Sequence, residues 1–473
     1  MAKENYSPLS EIYAQYGASF DHKQREETEH RERQREVLIV GHTYQPPREV
    51  WLPSQHRRLY MVPEVNAHIN DEVYRPLFET TETASFDENY SIPDGIYSYW
   101  APLRDWKMSH DPDGFEKTRM NIAKMEDREY KILGDTYLHV IMPLQTEDDQ
   151  RMLAEIGKEA FVQDFGFAPQ GVWVAETGIS STTIRILHDV GYKFVVLRDN
   201  QIISSDHNPM YIPVRDPEGN EIGEMAVIHF NSGLSGAVSF QDRYTENADS
   251  FLEDQRIYAS GDITIGSDTE LYGHHKKGRQ WWRRWVTRRD VLSSHGFSPF
   301  NIKARLADSE HTRTELIENS SWSCDHALGR WTGNCNCDNP TWEALNDKKE
   351  FYNALTEYGL ILNQMLNQVF PEWREKFKAF FLGVRKTWFG DGDVEQNIDD
   401  LVFSDTAGLG ILRDITIRKL FEAKMCELVG KTSCGWFFPK VDTPERELPR
   451  AMIREIENLI PQINEREGLY KAA

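Results

Sequence analysis

The sequence has no segment suited to crossing or entering a membrane. No run approaches the ~20 consecutive apolar residues that a transmembrane helix requires, and residues 1–10 lack the apolar centre of a signal peptide. Cysteine is also scarce, at 5 of 473 residues. An odd, small number of cysteines argues against a disulfide framework and favours a reducing compartment. These absences predict a cytoplasmic protein that does not contact the membrane.

Basic residues are too few to balance the acidic ones. The chain has 54 Lys and Arg against 76 Asp and Glu, which gives a formal net charge of −22. This charge disfavours nucleic acid as a partner, because the phosphate backbone is itself polyanionic. Solubility is the ordinary explanation of such an excess of acidic residues.

Hydrophobic and aromatic residues are plentiful. They make up 39% and 12% of the sequence, with 13 Trp, which suffices for a folded core and for surfaces that stack on sugar rings. A chain of 473 residues exceeds what one core usually holds, so we expect a large and a smaller domain. Residues 1–36 are predicted to be a charged helical or mobile lead-in. Residues 37–305 alternate strand-like and helical patterns, and residues 306–473 are mostly helical.

The most informative stretch is residues 171–178, where a short apolar run ends at Glu176. A serine and threonine cluster then opens a helical pattern that Gly191 closes, and residues 193–197 are typical of the next strand. Glu176 would thus follow a strand's C-terminal end, the edge of a (β/α) barrel that carries catalytic residues. A helix cap or a rim ion pair is the alternative explanation of this carboxylate.

Four further apolar runs, over residues 37–40, 137–142, 226–230 and 262–266, are predicted strands. Strands that alternate with helices indicate a parallel barrel or a doubly wound sheet. Polar or titratable residues of interest lie within these runs or soon after them: His42, Gln45, His139, Asp268, Tyr272 and His274.

Glu176 and Asp268 each follow an apolar strand, so they could face each other across the mouth of one barrel. Two such carboxyl groups, one ionised and one protonated, are the minimum apparatus for cleaving a glycosidic bond. One attacks the anomeric carbon, while the other protonates the leaving oxygen and later activates water. Trp173 and Tyr272 lie beside them in sequence and could stack on sugar faces.

These segments resemble glycoside hydrolase family 57, a retaining group of α-glucan-active enzymes. Residues 171–176 resemble its Trp-x-x-Glu nucleophile segment, and residues 267–274 resemble the Asp-x-Glu-Leu-aromatic-Gly-His segment that carries the acid/base. The stretch from His42 to Pro46 resembles its His-Gln-Pro segment. His139 matches a second family region, and residues 432–438 resemble a stretch that brings an aromatic residue to the active site.

The resemblance implies an incomplete (β/α)7 barrel followed by a helical bundle, with no metal or other cofactor. It implies a retaining hydrolase or transglycosylase that acts on an α-linked oligo- or polysaccharide, with Glu176 as nucleophile and Asp268 as acid/base. His42 and His139 would hydrogen-bond the first sugar, which Trp436 would cover. An uncharacterised subgroup shares the run 320–331, whose Trp322, His326 and Trp331 are candidates for lining a sugar subsite.

Two other functions compete with this one. His42, Asp268, His274 and His275 could be imagined as zinc ligands of a polysaccharide deacetylase or mannosidase, although no His-x-Asp ligand motif is found. A non-catalytic glucan-binding or regulatory protein is the second alternative, against which the intact carboxylate pair argues.

Three cysteines, Cys324, Cys335 and Cys337, lie close in sequence to His326. Zinc sites usually show cysteine pairs two to four residues apart, so this spacing fits poorly. Reduced thiols are the preferred interpretation, and a disulfide to Cys324 is less favoured in a reducing compartment.

Overall fold

The computed structural model describes residues 34–79, 92–259, 261–308, 311–404 and 406–467. The charged N-terminal segment predicted over residues 1–36, helical or mobile, lies almost wholly outside these described residues. Within them, no helix has both the length and the apolar character needed to cross a bilayer.

Strands occupy the first two thirds of the described chain. They are β1 (Arg35–His42), β2 (Glu49–Leu52), β3 (Arg57–Tyr60), β4 (Ile96–Ser98), β5 (Ile132–Leu133), β6 (Gly171–Val172), β7 (Phe194–Arg198), β8 (Met210–Arg215), β9 (Glu221–Phe230), β10 (Ile263–Asp268) and β11 (Phe297–Pro299).

Parallel strands form two sheets that continue into one another. The first has the order β10-β1-β4-β5, with β11 added on β1, and the second has the order β6-β7-β9 with β8 antiparallel at its edge. A parallel bridge between Gly134 and Val172 joins β5 to β6, and Asn231 N–H donates to the Thr264 carbonyl at 3.0 Å, linking β9 to β10. The described strands therefore form an incompletely hydrogen-bonded barrel of seven parallel strands.

Helices cover the barrel strands and dominate the rest of the described chain. They are α1 (Glu64–Ile69), which continues as a π-helix (Asn70–Glu79), α2 (Ala101–His110), α3 (Pro112–Ala123), α4 (Arg128–Lys131), α5 (Glu147–Phe165), α6 (Ser181–Val190), α7 (Ser232–Phe240), α8 (Arg243–Glu246), α9 (Ala248–Tyr258), α10 (Gln280–Val286), α11 (Arg289–Ser294), α12 (Ile302–Leu306), α13 (Gly329–Thr332), α14 (Trp342–Val369), α15 (Trp373–Trp388), α16 (Val394–Ser404), α17 (Ile415–Gly430), α18 (Cys434–Phe437) and α19 (Glu447–Glu467).

The unit β6-α6-β7 shows how the sequence makes this fold. The Ser180 hydroxyl accepts from Thr183 N–H at the start of α6, and Gly191 ends the helix at φ 89°, a left-handed conformation that suits glycine. The chain then re-enters the sheet as β7, with Val195 and Val196 fully buried. The predicted strand–helix–strand unit is therefore present, with β6 shortened to two residues.

The barrel and the C-terminal helices share one hydrophobic core. Buried residues of the strands, such as Leu38 and Val172, belong to the same apolar cluster as Leu428 and Ile463 of the helical region. This common core fixes the helical region against the barrel. The α/β fold with a helical C-terminal region is as expected, while the domain boundary near residue 305 stays a prediction.

The prediction of a strand over residues 137–142 is wrong. The strand in this part of the chain is β5, and Tyr137 turns the backbone at φ 59° while its N–H donates to Asp135 Oδ1 at 2.7 Å. His139 then follows in an irregular segment whose carbonyl accepts from Ser433 N–H at 2.7 Å. The apolar pattern reflects burial between barrel and helical region, which periodicity cannot distinguish from a strand.

Candidate active site

The carboxyl ends of β1 and β10 are joined by short polar contacts. His42 and Asp268, the last residues of β1 and β10, are register partners. The Thr269 hydroxyl donates to the His42 carbonyl at 2.6 Å and lies 2.6 Å from the Thr43 hydroxyl. These contacts hold Asp268 at the barrel edge where catalytic groups of such folds lie.

Glu176 follows β6 in a strained turn. Its backbone adopts φ 55°, and Thr177 adopts φ 49°, both in the left-handed region that non-glycine residues rarely occupy. Gln201 supports this turn, because its Nε2 donates to the Thr177 carbonyl at 2.8 Å and its Oε1 accepts from the Thr177 hydroxyl at 2.7 Å. Strain maintained by surrounding contacts is typical of functional sites.

Two donors from one loop hold the Glu176 carboxylate. Trp322 Nε1 and the Ser323 hydroxyl donate to its Oε2 at 2.9 and 2.7 Å, and Trp322 N–H donates to the Glu176 carbonyl at 3.0 Å. Burial raises the pKa of Glu176, which these two donors and the Arg330 charge partly offset. Oε1 accepts no hydrogen bond from any described residue and is the free oxygen.

Asp268 differs from Glu176 in its surroundings. It is exposed to solvent between buried Ser267 and Thr269, although many protein atoms surround its carboxyl group. Loss of hydration raises the pKa of Asp268 well above its usual value, and the negative charges of Glu270 and Glu176 raise it further. Asp268 is therefore the carboxyl group that tends to stay protonated, while Glu176 has hydrogen-bond donors that favour its ionised form.

A third carboxyl group, Glu270, lies beside the pair. It accepts from the Tyr74 hydroxyl and from Gln45 Nε2 at 3.4 Å, so the predicted substrate residue Gln45 contacts Glu270. Burial raises the pKa of Glu270 to about 7, against the effect of these donors. The charge of Glu270 therefore changes near neutral pH and influences Asp268.

His42 and His139 form a continuous hydrogen-bonded row with two serines. Their Nε2 atoms lie 3.1 Å apart, while His42 Nδ1 lies 3.0 Å from Ser98 Oγ and His139 Nδ1 lies 2.6 Å from Ser433 Oγ. Burial lowers the pKa of His42 to about 3 and that of His139 well below its usual value. Both imidazoles are neutral, and all four ring nitrogens are occupied by these contacts.

Most of the predicted sugar-stacking aromatics are buried. Trp173 stacks beneath His42 with ring centroids 5.0 Å apart, Tyr272 stacks on Trp282 at 5.6 Å, and Trp436 Nε1 donates to the Gly430 carbonyl at 3.0 Å. Trp173, Tyr272, Trp331 and Trp436 are at most 4% exposed. Trp322 alone among the five predicted aromatics is partly exposed, next to Glu176.

The predicted residues His274 and His326 contact neither Glu176 nor Asp268 but have other partners. His274 Nδ1 lies 2.7 Å from Glu72 Oε2, and His326 Nδ1 lies 3.3 Å from Cys337 Sγ. Within the described ranges, the side-chain groups that could hold a metal ion are His68–Glu72–His274 and Cys324–His326–Cys335–Cys337. Neither group includes His42 or Asp268, so the ligand set imagined for a deacetylase is not brought together.

Several residues of the site escaped the sequence analysis. Ser323, Glu270 and Ser433 lie within the matched motifs, but at positions to which no role was given. Ser98 and Tyr74 follow no pattern that could have identified them. Tyr44, which also escaped the sequence analysis, stacks on His139 with ring centroids 3.9 Å apart. Cys434 lies near Tyr44 and Glu176, and burial raises the pKa of the Cys434 thiol to about 12.

The strained Glu176 and Asp268 both lie at the carboxyl ends of parallel barrel strands, close enough for the charge of Glu176 to raise the pKa of Asp268. The family model of glycosyl hydrolase family 57 matches residues 2–307, well over half of the chain. The chain therefore belongs to glycosyl hydrolase family 57 and is an enzyme of the glycoside hydrolase or transglycosylase type. No functionally curated protein has a sequence that matches it.

Solved structures of low sequence identity share the fold. An exo-type maltose-forming amylase from Pyrococcus sp. ST04 superimposes with a TM-score of 0.65 at 14% identity, covering 91% of this chain and 79% of that one. A branching enzyme from Pyrococcus horikoshii gives 0.56 at 12%, covering 92% and 95%. The 4-α-glucanotransferase of Thermococcus litoralis gives 0.54 at 15%, covering 90% and 59%.

Proposed function

We propose that this protein cleaves α-linked glycans, foremost α-glucans, by double displacement, with Glu176 as nucleophile and Asp268 as acid/base. The observation that carries the proposal is the asymmetry of the pair. Glu176 has one oxygen held by two donors and the other free, while Asp268 is accessible and its protonated form is favoured. A retaining glycosidase needs this division between an ionised and a protonated carboxyl group.

In the first half-reaction, Oε1 of Glu176 attacks the anomeric carbon from the β face. Trp322 and Ser323 hold Oε2, so the carboxylate cannot rotate away from the attacking position. Asp268 gives its proton to the departing glycosidic oxygen, and a covalent β-glycosyl ester forms on Glu176. The carboxyl oxygens must then lie ~5 to 5.5 Å apart, as in other retaining enzymes.

Formation of the ester removes the negative charge of Glu176. Because that charge contributed to the raised pKa of Asp268, Asp268 becomes a better acid and is present as the carboxylate. It can then take a proton from water or from a sugar hydroxyl, which attacks the ester from the α face. Water gives hydrolysis, and a sugar acceptor gives transglycosylation.

The substrate class is supported by the related folds. The named structures are an amylase, a branching enzyme and a glucanotransferase, and the family is shown by the sequence match. Trp322, partly exposed beside Glu176, offers an aromatic face to a sugar ring. The five described thiols are free, which agrees with the proposed cytoplasmic location.

Azide rescue tests the assignment of the two roles. In Glu176→Ala, azide would occupy the place of the nucleophile and give a β-glycosyl azide from an activated α-glucoside. In Asp268→Ala, azide would attack the ester and give an α-glycosyl azide. NMR of the two products separates these cases, and the same anomer from both variants would refute the assignment.

The natural substrate is tested on the unaltered chain. A panel of maltooligosaccharides, glycogen and α-galactosides is assayed for new reducing ends and for redistribution of chain lengths, with Glu176→Ala as the inactive control. Turnover with retained anomeric configuration is expected on at least one α-glucan. Binding without turnover on every substrate would favour a glucan-binding protein instead.

A further inference from the structure

Four metal-binding side chains converge on either side of the short helix α13, between α12 and α14. Cys324 Sγ lies 3.5 Å from Cys335 Sγ, and His326 Nδ1 lies 3.4 Å from Cys335 Sγ and 3.3 Å from Cys337 Sγ. All four ligand atoms lie within 4.8 Å of one another. Three thiols and an imidazole thus point at one common centre.

These distances suit a single tetrahedral ion. Zinc bonds of about 2.3 Å to sulfur and about 2.0 Å to nitrogen place neighbouring ligand atoms about 3.5 to 3.8 Å apart. The three separations given above agree with this within a few tenths of an ångström, and the other three are below 4.8 Å. A disulfide would instead require the sulfurs to be ~2.05 Å apart, and the cysteines are free.

We propose that Cys324, His326, Cys335 and Cys337 form a structural zinc site. Three cysteines and one histidine are a typical closed, four-coordinate set for zinc. Binding converts three thiols to thiolates and releases three protons, with no change of oxidation state. The site therefore needs a divalent cation but no oxidant.

Charge near the site is consistent with this ligand set. Zinc with three thiolates and a neutral imidazole carries a net charge of −1. Lys348 is 3% exposed, and burial lowers its pKa to about 7, but it lies within electrostatic range of Cys324 and Cys335, whose charge favours its protonated form. A protonated Lys348 beside an anionic centre would lower the cost of burying that centre.

The backbone around the four side chains is also under strain. Ala327, Asp338 and Asn339 have φ values of 57°, 60° and 47°, although none is glycine. Such conformations persist where other contacts enforce them. Cys324 and Cys335 are buried, whereas His326 is exposed and Cys337 is half-buried, so an ion can enter from the solvent side.

The site would act on catalysis through the loop that it closes. Ser323, which donates to Glu176 Oε2, directly precedes Cys324. Zinc at Cys324 would thus fix the donors that orient the nucleophile, without contacting the substrate. This consequence rests on the proposed function, whereas the metal site itself does not.

Elemental analysis of the full chain, with any affinity tag removed, tests the site directly. We expect one zinc per chain in the unaltered protein and in Cys426→Ala, the control, since Cys426 is buried in α17 far along the chain from this loop. Cys335→Ser should lose the bound zinc, and His326→Ala, an exposed change, should bind it more weakly. The melting temperature should rise with added zinc only where the ligands are intact.

Cobalt(II) provides a second measurement that does not depend on a variant folding. Replacing the metal of the unaltered chain with Co²⁺ should give the strong visible absorption and sulfur-to-metal charge transfer of a tetrahedral thiolate site. Zinc-free protein that binds neither Zn²⁺ nor Co²⁺ when reduced would overturn the proposal, as would a Cys324–Cys335 disulfide in a non-reducing peptide map. Zinc removed by brief chelation with no change in melting temperature would also overturn it, as an adventitious ion only.

Activity distinguishes this site from the catalytic one. Glu176→Ala and Asp268→Ala should give the same azide anomers with Cd²⁺ in the site as with zinc, because the ion does not touch the substrate. If the zinc site is present but no α-glucan is turned over, the proposed function fails while the metal site stands.

Discussion

Carboxylates in two regions of the protein have opposite surroundings. Asp164, at the junction of barrel and helices, bonds to both Arg104 and Arg385; burial raises its pKa, but the two guanidinium groups outweigh this and the pKa is lowered. Asp268, in the candidate active site, has no described ion pair and a pKa raised well above normal. A carboxylate held between cations serves the fold, whereas one left without them is available for proton transfer.

The contrast also has intermediate cases. Asp105 bonds to Arg385 and Asp135 to Arg104, yet burial outweighs a single guanidinium and raises the pKa of both, that of Asp105 to about 6. The raised pKa alone therefore does not mark the active site. Position at a strand's carboxyl end must accompany it.

Glu176→Gln should give the largest effect. The amide keeps an acceptor for Trp322 and Ser323 but is a poor nucleophile, so kcat should fall by a factor of ~10⁴ or more. Since burial raises the pKa of Glu176, the ionised group destabilises the fold at neutral pH, and the variant should melt no lower than the parent. Steady-state kinetics and calorimetry check both outcomes. Glu318→Gln, an exposed change at the same barrel edge, serves as control, and a Glu176→Gln enzyme of parental rate would refute the nucleophile.

Arg385→Met, at the junction of barrel and helices, should lower the stability of the protein rather than change its catalytic chemistry. It leaves Asp105 without its guanidinium and Asp164 with only one, and breaking such a buried pair costs about 3–5 kcal/mol. Urea denaturation of both proteins measures the loss. Arg374→Met, on the same helix but paired with the exposed Asp148, should change the free energy of unfolding by less than ~1 kcal/mol. Equal losses of unfolding free energy in the two variants would show that the buried ion pairs of Arg385 stabilise the fold no more than an exposed one.

Glu270→Gln should change the pH dependence of stability. The pKa of Glu270 is raised from 4.5 to about 7 in the folded protein, so the folded state binds a proton that the unfolded state releases in this range. Stability should therefore fall as pH rises from about 4.5 to 7 in the parent, by ~1–3 kcal/mol, and this slope should vanish in the variant. Denaturation at pH 5 and pH 8 tests this.

The same variant should change the pH dependence of the rate. Because the charge of Glu270 raises the pKa of Asp268, its loss should move the alkaline limb of the rate profile to lower pH, although the coupled groups report only macroscopic values.

Ser323→Ala should slow catalysis far less than Glu176→Gln. It removes one of the two donors to Glu176 Oε2, and a hydrogen bond to a charged group contributes ~1.5–3 kcal/mol, so kcat/KM should fall about 10- to 100-fold. The lost donor favoured the ionised form, so the acid limb of the rate profile should shift to higher pH. An unchanged acid limb would show that Ser323 does not orient the nucleophile.

Local sequence patterns predicted the strand ends, and with them Glu176 and Asp268. The strand–helix–strand pattern is encoded within about 30 residues, where periodicity and capping residues are reliable guides. The partners of these groups are encoded elsewhere. Trp322 and Ser323 reach Glu176 across about 146 residues, and Ser433 meets His139 across 294, distances over which no local rule operates.

The cysteine cluster likewise could not be recognised from local sequence. The spacing of the cysteines argued against a zinc site because it took no account of the histidine that lies between them in sequence. A fold that turns back at Ala327 and Asp338 brings the Cys-x-His and Cys-x-Cys segments together. Ligand spacing describes the known zinc motifs, whereas the closeness of the ligand atoms depends on the path of the loop.

The row of Ser98, His42, His139 and Ser433 has an electrical consequence for the site. Each neutral imidazole carries a single N–H, so every N–H in the row must point the same way, toward either Ser98 or Ser433. Because the pKa of His42 is about 3, neither ring becomes charged at physiological pH. The row is therefore an uncharged, polarisable chain whose dipole direction depends on which serine hydroxyl donates to a ring nitrogen. Under the proposed function, a positive charge that develops on the substrate would meet this dipole and no fixed cation in the row.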